Sequence, residues 1–141
     1  MTINEIQNQI IDEFSDYEEW LDKYEYLIEL GNSLEMISED QKTPDNIIQG
    51  CQSRVWLVAK LDDDGTVCFF ADSDAIITKG IIALLIRVFN HQKPQDIINT
   101  ELYFIDKIGL SENLSPTRAN GLLAMIKQIR YYALAFNALK K

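Results

Sequence analysis

The stretch RVWLVAKLDDDGTVCFFADSDAIITKGIIALLIRVF, residues 54 to 89, decides the fold. Its opening, RVWLVAKL, is rich in β-branched and aromatic residues, which suit a pleated, half-buried surface. DDDG at 62 to 65 is a tight-turn signal, and TVCFFAD resumes the strand composition. Two such runs about a short turn predict an antiparallel hairpin. Cys68 falls in its second strand and is expected to serve as a small apolar packing residue. The period then changes. DSD at 72 to 74 offers oxygen acceptors for the free N–H groups of a helix start, with acidic side chains suited to its positive end. The segment that follows is apolar nearly all round, with Thr78, Lys79 and Arg87 as exceptions before Asn90. A helix of that kind is predicted to lie buried behind the sheet.

Upstream, Ile3, Ile6, Ile10 and Phe14 recur at helical spacing. Ser15 and Glu18 match the S-x-x-E capping box and predict the start of a second helix. Its buried stripe is expected to be Tyr17, Trp20, Leu21, Tyr24, Leu27 and Ile28, with Gly31 as a left-handed stop. Residues 38 to 46 are turn-rich and polar. Downstream, Pro94 opens a short helix and residues 101 to 110 suggest another. Ser115 and Pro116 are a sound cap and first residue for a long final helix, with Leu122, Ile126, Ile129, Ala133 and Phe136 facing inward. The outline is an α+β fold, a small antiparallel sheet packed against helices, in a single domain over residues 1–141.

Composition narrows the function. The net charge of −9 argues against nucleic acid or an anionic membrane as the main partner. Residues 1 to 40 hold 12 acidic groups and one lysine, so the two N-terminal helices present either a solvated acidic face or a docking surface for a basic partner. No apolar run is long enough to span a bilayer, and the N-terminus lacks the basic-then-apolar pattern of an export signal. A cytoplasmic location is therefore expected. The two cysteines, Cys51 and Cys68, are then expected to be free thiols.

Familiar chemical motifs are missing: there is no phosphate loop, nucleophile elbow or dinucleotide fingerprint. One histidine, His91, and two separated cysteines give no recognisable zinc or iron–sulfur spacing, and His91 is expected at the surface past a helix end. The DDD run reads as a solvated turn. No metal and no cofactor is assigned.

What remains is IIQGCQSRVW, residues 47 to 56. Gly50 allows a backbone bend closed to other residues, so Cys51 is carried on a turn between a loop and a strand. Gln52 and Ser53 are poor core fillers that can donate hydrogen bonds to a thiolate or persulfide. Arg54 adds positive charge, which favours thiolate over thiol. Arg118 falls in the first turn of the last helix, where a cation opposes the helix dipole. It is either a surface arginine paired with an acid or one placed to meet a partner or an anionic sulfur species.

Three segments, GCQSRVW at 50 to 56, DSDAIITKGIIALL at 72 to 85 and LSPTRANGLLAM at 114 to 125, resemble the SufE family of sulfur-acceptor proteins in order and spacing. The likeness runs over essentially the whole chain. It implies a SufE-like fold similar to that of IscU scaffold proteins, without their cysteine ligands for metal. It also implies a protein that accepts sulfur from a pyridoxal-phosphate cysteine desulfurase, stimulates that enzyme, and delivers sulfur to an iron–sulfur assembly scaffold. The acceptor cysteine falls on Cys51, supported by Gly50, Gln52 and Ser53, while Asp74 and Arg118 match partner-facing positions. Such a protein forms a covalent persulfide with its partner enzyme and has no independent turnover. Two other readings stay open: an adaptor that activates a desulfurase without carrying sulfur, and an iron–sulfur scaffold.

Overall fold

The computed structural model describes residues 1–34 and 37–139. Helix α1, Ile3–Ser15, opens on a capping box formed by Thr2 and Glu5, in which Thr2 Oγ1 accepts from the Glu5 N–H at 3.1 Å and Glu5 Oε1 accepts from the Thr2 N–H at 2.9 Å. The box expected at Ser15 and Glu18 does not form. Ser15 instead closes the last turn of α1, donating its hydroxyl to the Asp12 carbonyl at 2.6 Å, and helix α2, Trp20–Asn32, starts without a side-chain cap. The S-x-x-E pattern marks a helix start only where the chain has left the preceding helix, and at Ser15 it has not. Ile3, Ile6, Ile10 and Phe14 are buried as their spacing implies. Gln7 is buried beside them and braces a distant segment, donating to the Glu101 carbonyl and accepting from the Phe104 N–H.

Strands β1, Val55–Leu61, and β2, Val67–Ser73, pair antiparallel from Val55↔Ser73 to Leu61↔Val67. They form the only sheet among the described residues. Gly65, at φ 86°, turns the tip, and Asp64 accepts from the Thr66 N–H and hydroxyl as a short polar turn residue should. Val55, Leu57, Val67, Phe69 and Ala71 are buried in the core cluster, so by strand alternation Trp56, Cys68 and Asp72 belong to the opposite face. Cys68 is buried as expected, but on that outer face and outside the apolar cluster.

Helix α3, Ile76–Phe89, is the buried helix anticipated, with Ile81, Ile82, Leu84, Leu85, Val88 and Phe89 essentially inaccessible. DSD does not cap it, because its side chains are engaged elsewhere: the cap position is Ala75, with no side-chain hydrogen bond. Helices α4, Pro94–Asn99, α5, Phe104–Lys107, and α6, Leu110–Asn113, follow, the expected element at 101 to 110 being split by Gly109 at φ 78°. Helix α7, Pro116–Leu139, spans about 36 Å at 1.5 Å per residue. It buries Leu122, Met125, Ile129 and Ala133, while Ile126 and Phe136 pack at the core's edge. No helix among the described residues is long and apolar enough to cross a membrane.

Two expectations for α2 fail. Leu21 is exposed at 69%, and Gly31 is helical rather than left-handed, with the helix continuing to Asn32. Trp20, Tyr24, Leu27 and Ile28 of the expected stripe do pack on the core, and α2 comes closest to α3 at glycine. A Cβ on Gly31 would lie 2.8 Å from the Gly80 nitrogen, and one on Gly80 would lie 2.3 Å from the Leu27 carbonyl oxygen. Backbone packs directly on backbone. An ion pair supports this arrangement, with Arg87 of α3 binding both oxygens of Glu13 of α1, and Tyr26 of α2 donating to the same carboxylate. Arg87 holds the Glu13 carboxyl below its usual range.

Gly80→Ala tests the crossing, because helix propensity and packing oppose each other there. Propensity alone favours alanine by about 1 kcal/mol, whereas the overlap with the Leu27 backbone is rigid. A net destabilisation of about 2 kcal/mol or more is expected, read as a lower urea midpoint at unchanged slope. An unchanged or higher midpoint would show that the helices are not in backbone contact.

Candidate functional site around Cys51

Cys51 sits at the tip of a short loop that β1 closes at its base. The Ile48 N–H donates to the Val55 carbonyl at 2.8 Å and Ile47 bridges Trp56, so residues 49–54 leave the sheet and return beside their point of departure. Gly50 makes the bend at φ 92°, a region L side chains rarely adopt, as the glycine position predicts.

The DSD motif holds the returning limb. Ser73 donates its hydroxyl to the Arg54 carbonyl at 2.9 Å and accepts from the Ala75 N–H, while Asp74 accepts from the Arg54 N–H at 3.0 Å. Asp72 turns to the outer face, pairing with Lys42 at 2.8 Å and Lys79 at 3.3 Å. Burial alone would raise the Asp72 carboxyl, but Lys42, the Ser73 N–H and Lys79 outweigh it and hold the group below its usual range. Lys42 thereby ties the preceding polar segment to the same strand end. Two of the three residues expected to cap a helix, Ser73 and Asp74, fasten the thiol loop instead.

The Cys51 thiol is half-buried and lies 3.6 Å from the Gly121 carbonyl of α7. A Cβ added at Gly121 would sit 3.6 Å from the sulfur, in ordinary van der Waals contact. The loop and the first turns of α7 enclose a cavity of about 410 Å³ lined by Cys51, Gln52, Ser53, Thr78, Ile81, Ser115, Thr117, Arg118, Gly121 and Met125. Four of the residues picked from the sequence, Cys51, Gln52, Ser53 and Arg118, therefore meet around one space, with the Gly50 bend directly before the thiol. Ser115 caps α7 by accepting from the Arg118 N–H at 3.3 Å. Asp74 does not line the cavity; it acts on the loop through Arg54. Thr78, Ser115, Thr117 and Gly121 were not singled out as site residues. Only tertiary packing brings them to the thiol, from 27 to 70 positions along the chain.

The expected electrostatics at the thiol are corrected. Arg54 is exposed and lies outside the cavity lining, and burial pushes the Cys51 thiol above its ordinary pKa with no cation opposing it. Cys68 is raised further, to about 11, by burial and then by the hydrogen bond and negative charge of Asp62. His91, the one histidine, approaches Cys68 rather than Cys51, with Nδ1 3.3 Å from Sγ.

These directions predict an order of reactivity. The thiolate is the nucleophile, so alkylation of the folded protein should rise about tenfold per pH unit and continue rising beyond pH 9, the ordinary value for Cys51. Iodoacetamide labelling followed by peptide mass mapping should modify Cys51 well before Cys68. A plateau below pH 8 at Cys51, or faster labelling of Cys68, contradicts the stated burial effects.

Comparison with known proteins adds two findings. The structure is similar to the solution structure of a hypothetical protein from Thermus thermophilus, with a TM-score of 0.77 at 18% identity, covering 94% of this chain and 96% of that chain. At that identity the likeness speaks to the α+β fold alone. A family model described as SufE, an Fe-S metabolism associated domain, matches residues 8–133. That span contains the Cys51 loop, the DSD clasp and the cavity-lining part of α7, and the chain accordingly belongs to the SufE family, with a general role in iron–sulfur metabolism.

Proposed function

We propose that the protein is a sulfur carrier that takes the outer sulfur of a persulfide on a cysteine desulfurase onto Cys51 and delivers it to an iron–sulfur assembly scaffold. The observation that carries this reading is the cavity of about 410 Å³ shared by Cys51 and Arg118. It leaves room beside the thiol for another sulfur atom, together with groups able to stabilise it as an anion. Arg118 supplies a cation, and the first turn of α7 supplies the positive end of a 24-residue helix. Ser53, Ser115 and Thr117 bring hydroxyl donors to the same space.

The transfer balances without an outside oxidant. Cys51 loses its proton to solvent, and its thiolate attacks the outer sulfur of the donor persulfide. The donor S–S bond breaks as a new bond forms to Cys51 Sγ, and the donor cysteine leaves as a thiolate that takes up a proton. Sulfane sulfur moves with no net redox change. A persulfide formed on Cys51 would be short-lived beside a second thiol, but Cys68 lies at the other end of the hairpin. Val55 and Lys60 alone are about 17 Å apart along β1 at 3.3–3.4 Å per residue.

Burial that keeps Cys51 protonated suits a shuttle which reacts only when its donor is docked. The Gly50 bend is the element able to carry the thiol outward, with Asp74 and Arg118 flanking it as residues a partner would meet. The same burial also favours a second reading, in which Cys51 is passive packing and the protein activates the desulfurase as an adaptor.

Intact mass measurement after incubation with desulfurase and cysteine separates the two. The carrier gains one sulfur atom, localised to Cys51, and Cys51→Ser abolishes both the gain and the stimulation of the desulfurase. Retained stimulation in Cys51→Ser favours the adaptor. Arg118→Ala should slow sulfur loading several-fold while leaving the fold's circular dichroism intact; unchanged loading would remove Arg118 from the mechanism. An iron–sulfur scaffold would instead reconstitute a visible-absorbing cluster on the isolated chain.

A further inference from the structure

Cys68 is a buried thiol that the proposed sulfur chemistry does not use, and its surroundings are not those of a packing residue. It lies on the outer face of the hairpin, and its close partners are Asp62 Oδ2 at 2.7 Å and His91 Nδ1 at 3.3 Å. The three ligand atoms lie within 4.8 Å of one another. Around a tetrahedral zinc with Zn–S near 2.3 Å and Zn–N or Zn–O near 2.0–2.1 Å, donor atoms stand about 3.5 Å apart. The sulfur–nitrogen distance is already close to that, and the carboxylate needs to open by less than about 1 Å.

The backbone holds these groups together on both sides of the thiol. The His91 N–H donates to the Val67 carbonyl at 2.8 Å, the Val67 N–H donates to the Gln92 carbonyl at 2.9 Å, and the Phe69 N–H donates to Asn90 Oδ1 at 2.8 Å. His91 is the sole non-glycine residue with positive φ among the described residues, at 61°. That conformation costs free energy for a residue with a Cβ, and here it accompanies a ring brought to the sulfur. A carboxylate facing a buried thiol favours the protonated thiol; a divalent cation between them reverses that preference and makes both groups ligands.

We propose that Asp62, Cys68 and His91 form a binding site for a borderline-soft divalent cation of the zinc class. The cation replaces the thiol proton, is held by one sulfur, one nitrogen and one oxygen, and keeps a fourth position for water on the side where His91 is exposed. It clips the hairpin tip to the end of α3. The site is separate from the Cys51 cavity, shares no residue with it, and holds whether or not Cys51 carries sulfur.

Cobalt(II) titration of the reduced, chelator-treated full chain tests the assignment. One equivalent should bind with a thiolate-to-cobalt charge-transfer band and the visible bands of a tetrahedral centre, and zinc should displace it. Binding should release a proton and tighten as pH rises, because cysteine binds the cation as its thiolate. Cys68→Ala should remove the charge-transfer band, His91→Asn should weaken binding at least tenfold, and Cys51→Ser should leave both unchanged. Zinc should raise the thermal midpoint of the natural chain but not that of His91→Asn, whose substitution at an exposed left-handed position preserves folding if Cys68→Ala does not. A band that survives Cys68→Ala, a band lost in Cys51→Ser, full affinity in His91→Asn, or no binding of micromolar cobalt overturns the proposal.

Discussion

At the centre of the molecule two helix backbones touch. Gly31 of α2 and Gly80 of α3 leave no space for a side chain between them, and Leu27 packs its carbonyl against the same point. Helix α3 is therefore fixed against the N-terminal helices on one side while its apolar surface joins the inner face of the hairpin on the other. Contact at this distance tolerates little displacement, since interiors are packed at the density of organic crystals. The clasp that holds the returning limb of the thiol loop hangs from the strand leading into α3. The Arg87–Glu13 pair strengthens the arrangement, but it is partly exposed and secondary to the backbone contact.

From that frame the hairpin projects two unlike ends. At one end, Ser73 and Asp74 clasp Arg54, and the chain before β1 is drawn into a narrow loop with Cys51 at its tip. At the other end, the Asp62–Thr66 turn folds beside the end of α3 and meets His91. The two thiols of the chain thus have separate surroundings. Cys51 faces hydroxyls, a carbonyl and Arg118 across a cavity, while Cys68 faces a carboxylate and an imidazole at bonding range. Burial raises the proton affinity of both, yet only Cys68 has an anion adding to the effect. The proposed carrier role gains from this separation, because a second free thiol next to a persulfide would discharge it.

Much of this was legible in the residues. Runs rich in β-branched and aromatic residues about DDDG predict the hairpin, and the apolar run after it predicts the buried helix. Ser115 and Pro116 mark the start of α7, and Gly50 marks the bend at Cys51, where the backbone takes positive φ. The errors share a cause. S-x-x-E at Ser15, DSD before α3 and Gly31 after α2 are local signals whose usual partners are neighbouring backbone groups. In each case the residue is engaged differently: Ser15 with the turn behind it, Ser73 and Asp74 with Arg54, and Gly31 with another helix. Arg54 differs for a related reason, since adjacency in sequence suggested a charge near Cys51 while the residue, just ahead of β1, is exposed and off the cavity.

The sequence by itself determined the order of strands and helices, the glycine bend and the presence of one thiol upon it, because periodicity, turn chemistry and backbone freedom act over a few residues. Tertiary structure alone decided that Arg118 and Gly121 would face Cys51, that Gly80 would receive Leu27, and that His91 would come to Cys68 and Asp62. Those meetings join positions as many as 70 residues apart. They are fixed only when α3 and α7 close against the hairpin, since no local pattern records a distance between segments that pack together.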